Sequence, residues 1–120
     1  MHSRVRLFSL LVAGLVGFGV ACQSQSPRAP LSPEAQKVAL VNRGRAIYQT
    51  QCTACHHSDP HKPGSLGPDV WGSSRELLEA RIVRGEYPKG YTPKRSTHIM
   101  VALPHLKGEL DALTAYLNQP

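Results

Sequence analysis

Three stretches of the chain place apolar residues at helical spacing, and none alternates as a strand would. The first carries Leu40, Val41, Ile47 and Tyr48, with Gly44 on the same face. It opens on Ser32-Pro33-Glu34, where serine can cap, proline suits the first helical position and glutamate favours the first turn. This spacing predicts a helix to about Gln51. The second stretch holds Leu77, Leu78 and Ile82, with Ala80 beside them. Ser73 and Glu76 match a capping box at its start, and Gly85 stops it after Val83. The third runs from about Gly108 to Asn118, with Leu110, Leu113 and Leu117 in one stripe and Tyr116 alongside. Its start is poorly marked, because Lys107 is a weak cap.

A fourth apolar run, Leu7 to Val20, has no such periodicity and follows Arg4 and Arg6. It is short for a membrane span, which needs ~20 residues, and suits a secretory signal. A retained anchor helix is the alternative. We expect residues 1–21 to form a signal peptide cleaved after Ala21. Gly19-Val20-Ala21-Cys22 resembles a bacterial lipoprotein box, although Gly19 stands where leucine is usual, and ordinary signal peptidase also accepts these small residues. Lipidation would give Cys22 a purpose, anchoring the chain to a membrane face. Residues 22–35 then form the lipidated N-terminus and a polar, Pro-containing tether, and residues 36–120 the folded domain.

The segments between the predicted helices are rich in breakers. Pro60, Pro63, Gly64, Gly67, Pro68 and Gly72 crowd one loop, and Pro88, Gly90, Pro93 and Pro104 punctuate a second over residues 86–106. Loops of that length usually have a functional reason. Three helices and long loops cannot enclose a large core, so a domain this small calls for a staple. The net charge of +6 falls to +4 without Arg4 and Arg6. Basic residues never run more than two together and aromatic residues are few, which argues against nucleic acid as a partner. The excess is either a solvated surface or a means of steering toward an acidic partner. Arg81, Arg84, Lys89, Lys94 and Arg95 are the candidates for such a basic rim.

Cys52-Thr53-Ala54-Cys55-His56 supplies the staple. Two cysteines three apart, followed at once by histidine, form the attachment signature of haem c. Each thiol can join one vinyl group on an edge of the porphyrin, while His56 turns beneath it toward the iron. The rivals fit less well. A redox dithiol expects a βαβ setting, zinc needs four ligands, and a Cys52–Cys55 disulfide would cross-link little. For the second axial position Met100 is the leading candidate, lying in the loop before the last helix. His98 and His105 flank it and remain rivals, while His57 and His61 sit too close to the attachment turn. Methionine could instead be core filler.

With these motifs in place, residues 36 to 119 resemble the class I c-type cytochromes, the small bacterial monohaem kind. Gly44 and Tyr48 ahead of Cys52, Cys55 and His56 resemble that family's opening helix, and Leu113, Tyr116 and Leu117 its closing helix. The resemblance implies an all-α cytochrome c fold, three or more helices with long loops wrapping one covalently bound haem, in which these two helices cross at Gly44. Gly67-Pro68-Asp69-Val70-Trp71-Gly72 is similar to the family loop whose proline carbonyl accepts a hydrogen bond from the proximal histidine. That match implies that Pro68 orients His56. Ile99 to Pro104 resembles the axial methionine segment, departing from it in that Val101 rather than proline follows Met100. Tyr91, Arg95 or Trp71 is expected either to meet a haem propionate or simply to form loop surface. The function so implied is single-electron carriage outside the cytoplasm between redox protein partners, by a chain that is not itself an enzyme. The alternatives are a haem subunit of a periplasmic oxidoreductase complex and a ligand-binding haem protein with a displaceable Met100.

Overall fold

A computed structural model describes residues 30–120. The expected signal peptide, Cys22 and the tether as far as residue 29 lie outside the described residues. In chain order these residues form helix α1 (Pro33–Gln51), helix α2 (Arg75–Leu78) continued by a π-helical turn (Glu79–Arg84), a 3-10 turn (Pro104–Glu109) and helix α3 (Leu110–Leu117). No strand occurs among them, and no helix is long and apolar enough to cross a membrane.

Helix α1 begins as its sequence dictates. The Ser32 hydroxyl accepts the Ala35 N–H at 3.2 Å, Pro33 sits at the first position and Glu34 lies in the first turn. Pro33, Glu34 and Ala35, expected within the tether of residues 22–35, are therefore already helical. The buried stripe of α1 is narrow. Gly44 and Tyr48 are enclosed, Val41 and Ile47 pack at the margin, and Leu40, expected on this face, stays exposed.

Gly44 is where α1 meets α3. A Cβ there would overlap the Ala112 carbonyl oxygen and stand 2.8 Å from the Tyr116 Cβ, so glycine is what lets the two backbones approach. Beside it, the rings of Tyr48 and Tyr116 meet at 5.6 Å in a tilted pair, and Arg43 pairs with Glu109 at the surface. The core gathers around this crossing from Tyr48, Leu78, Ile82, Leu106, Leu110, Leu113, Tyr116 and Leu117.

Helix α2 is capped by Ser74 and not by Ser73. The Ser74 hydroxyl accepts the Leu77 N–H at 3.2 Å. Ser73 is committed elsewhere, donating its hydroxyl to the Val70 carbonyl at 2.6 Å while its own carbonyl accepts from Asn118 at 3.0 Å. After one α-turn the helix widens to a π-turn that ends on Gly85, whose φ of 73° allows its N–H to return to the Ala80 carbonyl. An α-helix turns its residues about 100° apart, so three in succession spread over some 200° of its surface. Here Ala80, Arg81 and Ile82 are all buried in succession. The start of the last helical region lies upstream of the expected Gly108, because Pro104 opens the 3-10 turn that leads into α3.

Candidate haem site

The attachment pentapeptide leaves the end of α1 as a tight turn. The Cys52 carbonyl accepts from the N–H groups of Cys55 and His56 at 3.2 and 2.9 Å. Both cysteines are free thiols, Cys55 exposed and Cys52 half-buried. Burial, aided by the neighbouring Cys55, pushes the Cys52 thiol up to about 11.

The breaker-rich loop folds back over this turn. The Cys55 carbonyl receives the N–H groups of Leu66 and Gly67 at 3.3 and 2.9 Å, and Gly64 donates to the Gly67 carbonyl at 2.9 Å. Gly67 lies flat against the imidazole: a Cβ there would stand 2.5 Å from the His56 Cε1 and 2.6 Å from its Nδ1. The next residue completes the clamp, with His56 Nδ1 lying 2.8 Å from the Pro68 carbonyl oxygen. A carbonyl only accepts, so this bond requires the proton on Nδ1 and leaves the Nε2 lone pair available to a metal. The loop is pinned in turn to the last helix, where Gly72 donates to the Leu117 carbonyl at 2.8 Å.

His56 opens onto a cleft of about 250 Å³. Its interior is largely apolar, with Leu77, Leu78, Ile82, Leu106, Leu113 and Leu117 among its lining. Cys52, Cys55, His56, Pro68 and Met100 all line this same cleft. Met100 is half-buried and packs against the core. His98 and His105, its expected rivals, are exposed and are not part of the lining. Among the described residues, no three of His, Cys, Asp and Glu converge on a metal site, so the zinc reading of the cysteine pair finds no ligand set. An apolar slot bearing two free thiols and an imidazole with an available Nε2 fits a covalently held porphyrin.

Other expected site residues fall differently. Tyr91 and Arg95 line the cleft, whereas Trp71 does not and stacks on His61 with ring centroids 3.9 Å apart. Arg95 donates to the carbonyls of Gly64 and Ser65, tying the second loop to the first. The expected basic rim is depleted. Arg84 pairs with Glu79 and Glu86, Lys94 pairs with Asp69, and Arg81 is buried beneath the surface.

The fold and this cleft define a small haem protein. The cytochrome c family model matches residues 41–119, and the chain belongs to that family. Its members are electron-transfer proteins, and the domain implies one covalently bound haem c, with Cys52 and Cys55 at the attachment positions. Among curated proteins the chain is similar to a cytochrome c-553-like protein of Synechocystis sp. (strain ATCC 27184 / PCC 6803 / Kazusa), 36% identical over 53 residues. That match covers 44% of this chain and 48% of the relative, so it spans about half of the relative's length. No solved structure matches the chain.

Proposed function

We propose that this protein is an exported monohaem electron carrier whose iron is held between His56 and Met100. Cys52 and Cys55 form the two thioether bonds, and Pro68 braces His56 so that Nε2 faces the metal. The bound haem supplies a one-electron couple between ferric and ferrous iron. The chain's own residues hold the ligands, exclude water with the apolar lining and keep both axial positions filled. A filled coordination sphere favours transfer over catalysis. Histidine with methionine gives a higher potential than two histidines, because thioether sulfur favours the reduced metal.

The observation that carries this reading is that Met100 shares the cleft with His56, while His98 and His105 stay outside it. In the purified protein the ferric state should show the far-red sulfur-to-iron charge-transfer band. Met100→Ala should abolish that band and lower the reduction potential. Survival of the band would remove Met100 from the ligand set. The carrier should pass electrons between supplied redox proteins and turn over no substrate alone. Cys22 is proposed to carry a lipid that holds the domain at the outer face of the cytoplasmic membrane, in the periplasm of a bacterial cell. Cys22→Ser should then release the protein from membranes, and retention would favour an uncleaved helix.

A further inference from the structure

Arg81 is the one charged side chain within the buried set of the described residues, 8% exposed. Its guanidinium has no carboxylate within 4.0 Å among those residues, although Glu79 and Glu86 stand close in sequence and pair with Arg84 instead. Three neutral groups take its place. Nη1 donates to the Gly85 carbonyl at 2.6 Å, Nη2 to the Met100 carbonyl at 3.4 Å, and the central carbon lies 4.3 Å over the Tyr87 ring. Tyr87 is itself held by stacking on Tyr91 at 5.5 Å. Arg81 also lines the cleft together with Met100.

A buried cation is costly to hold, and the groups the protein itself offers Arg81 are carbonyl dipoles and a ring face. The fold nonetheless positions this charge with care. The π-turn is what brings Arg81 inward between two buried neighbours, and the same turn receives the methionine segment through the Leu103 N–H bond to the Ile82 carbonyl at 2.5 Å. π-Turns commonly occur where function requires an otherwise unfavourable backbone. Two attachments, one from Arg81 at Met100 itself and one from Ile82 three residues further on, thus fix the segment that carries the methionine.

We propose that Arg81 is a positioning residue that sets the potential of the iron: it holds the Met100 main chain in place and presents its positive charge to the cleft. A fixed positive charge opposes the gain of positive charge on oxidation, so it favours the ferrous form. The proposal rests on Met100 being the second ligand.

Two variants of the haem-loaded protein separate the charge from the packing. Arg81→Gln keeps an amide donor for the carbonyls and removes the charge. Arg81→Lys keeps the charge but cannot fork between two carbonyls and stack on a ring. At fixed applied potential, Arg81→Gln should lower the ferrous-to-ferric ratio about tenfold, equivalent to 59 mV for a one-electron couple. Arg81→Lys should stay within about threefold of the parent by the same rule. In both, the charge-transfer band should be lost at a lower temperature than in the parent. An unchanged potential in Arg81→Gln overturns the proposal, as does an equal fall in Arg81→Lys or wild-type persistence of the band on heating. Should the glutamine variant not retain haem, Arg81→Met keeps the packing of the stem and serves as the neutral variant. A parent protein without the band would refute the Met100 ligation itself. A parent with the band and an indifferent Arg81→Gln would refute the role of Arg81 alone.

Discussion

Replacing Gly67 with alanine sets a methyl group against the face of the proximal imidazole. Its carbon would lie 2.5 Å from Cε1, 2.6 Å from Nδ1 and 2.9 Å from Nε2 of His56. Such atoms settle at ~3.5–4.0 Å, so one side must retreat by about 1 Å. The backbone of Gly67 is held at both ends, by its N–H to Cys55 and its carbonyl to Gly64. The ring is held at Nδ1 by one hydrogen bond and, by the proposed ligation, at Nε2 by the iron; the hydrogen bond is the weaker hold, so the ring tilts away at Nδ1. A retreat of about 1 Å lengthens the 2.8 Å bond to Pro68 beyond hydrogen-bonding range. The lost bond costs about 1 kcal/mol and the overpacking about 1–3 kcal/mol. For a domain of this size the sum lowers the melting temperature by on the order of 10 °C or more. With His56 as the proposed iron ligand, losing the bond would also make the imidazole a weaker electron donor, so the reduction potential should rise. The assay is thermal denaturation followed by haem absorbance, with potentiometry on the same samples. Gly108→Ala is the control, since nothing lies within 4 Å of a Cβ at that position. Equal melting temperatures and potentials for the two variants would refute the clamp.

Two further substitutions test the fold. Gly44→Ala gains ~1 kcal/mol of helix propensity, yet its methyl meets the Ala112 backbone, 2.5 Å from the carbonyl carbon, and no rotamer relieves it. The crossing must open, and a net loss of about 1–3 kcal/mol should appear as a lower denaturation midpoint; an unchanged midpoint would show that the helices need not touch there. Asp69 is held below the ordinary carboxylate range, first by its hydrogen bond from Lys94. A lowered carboxyl favours the fold above its unfolded value and loses that contribution as pH falls through the folded one. Asp69→Asn should therefore melt slightly lower than the parent at pH 7, with the difference vanishing once acid has protonated the folded carboxyl and shrinking in high salt. A difference that persists in acid would assign the effect to something other than this pair.

Much of the domain is legible in its sequence because local chemistry and tertiary position agree. Ser32-Pro33-Glu34 starts a helix, Gly44 marks a crossing, and Leu110, Leu113 and Leu117 face inward. The bond from His56 to Pro68 has the geometry that the family loop implies. What escapes is decided by partners far along the chain. Ser73 and Ser74 are chemically identical candidates for one cap. The choice falls to Ser74 because Val70 and Asn118 engage Ser73. The π-turn has no periodic signature in so short a segment, and without it Arg81 reads as a surface charge. Trp71 follows the family's loop in sequence but turns toward His61, a stacking partner that no spacing rule would suggest.

The crossing of α1 with α3 also bears on how the chain reaches its fold. Bringing Gly44 to Ala112 closes a loop of about 68 residues, an entropic cost near 4 kcal/mol at the usual scaling that arrives before the contacts reward it. If His56 and Met100 are joined through one iron as proposed, the effective loop would shrink to about 24 residues, and the cost would fall by about 0.9 kcal/mol, roughly fivefold in rate if the crossing is the slow step. The porphyrin would then act as a splint, drawing the two ends of the domain together from the middle outward.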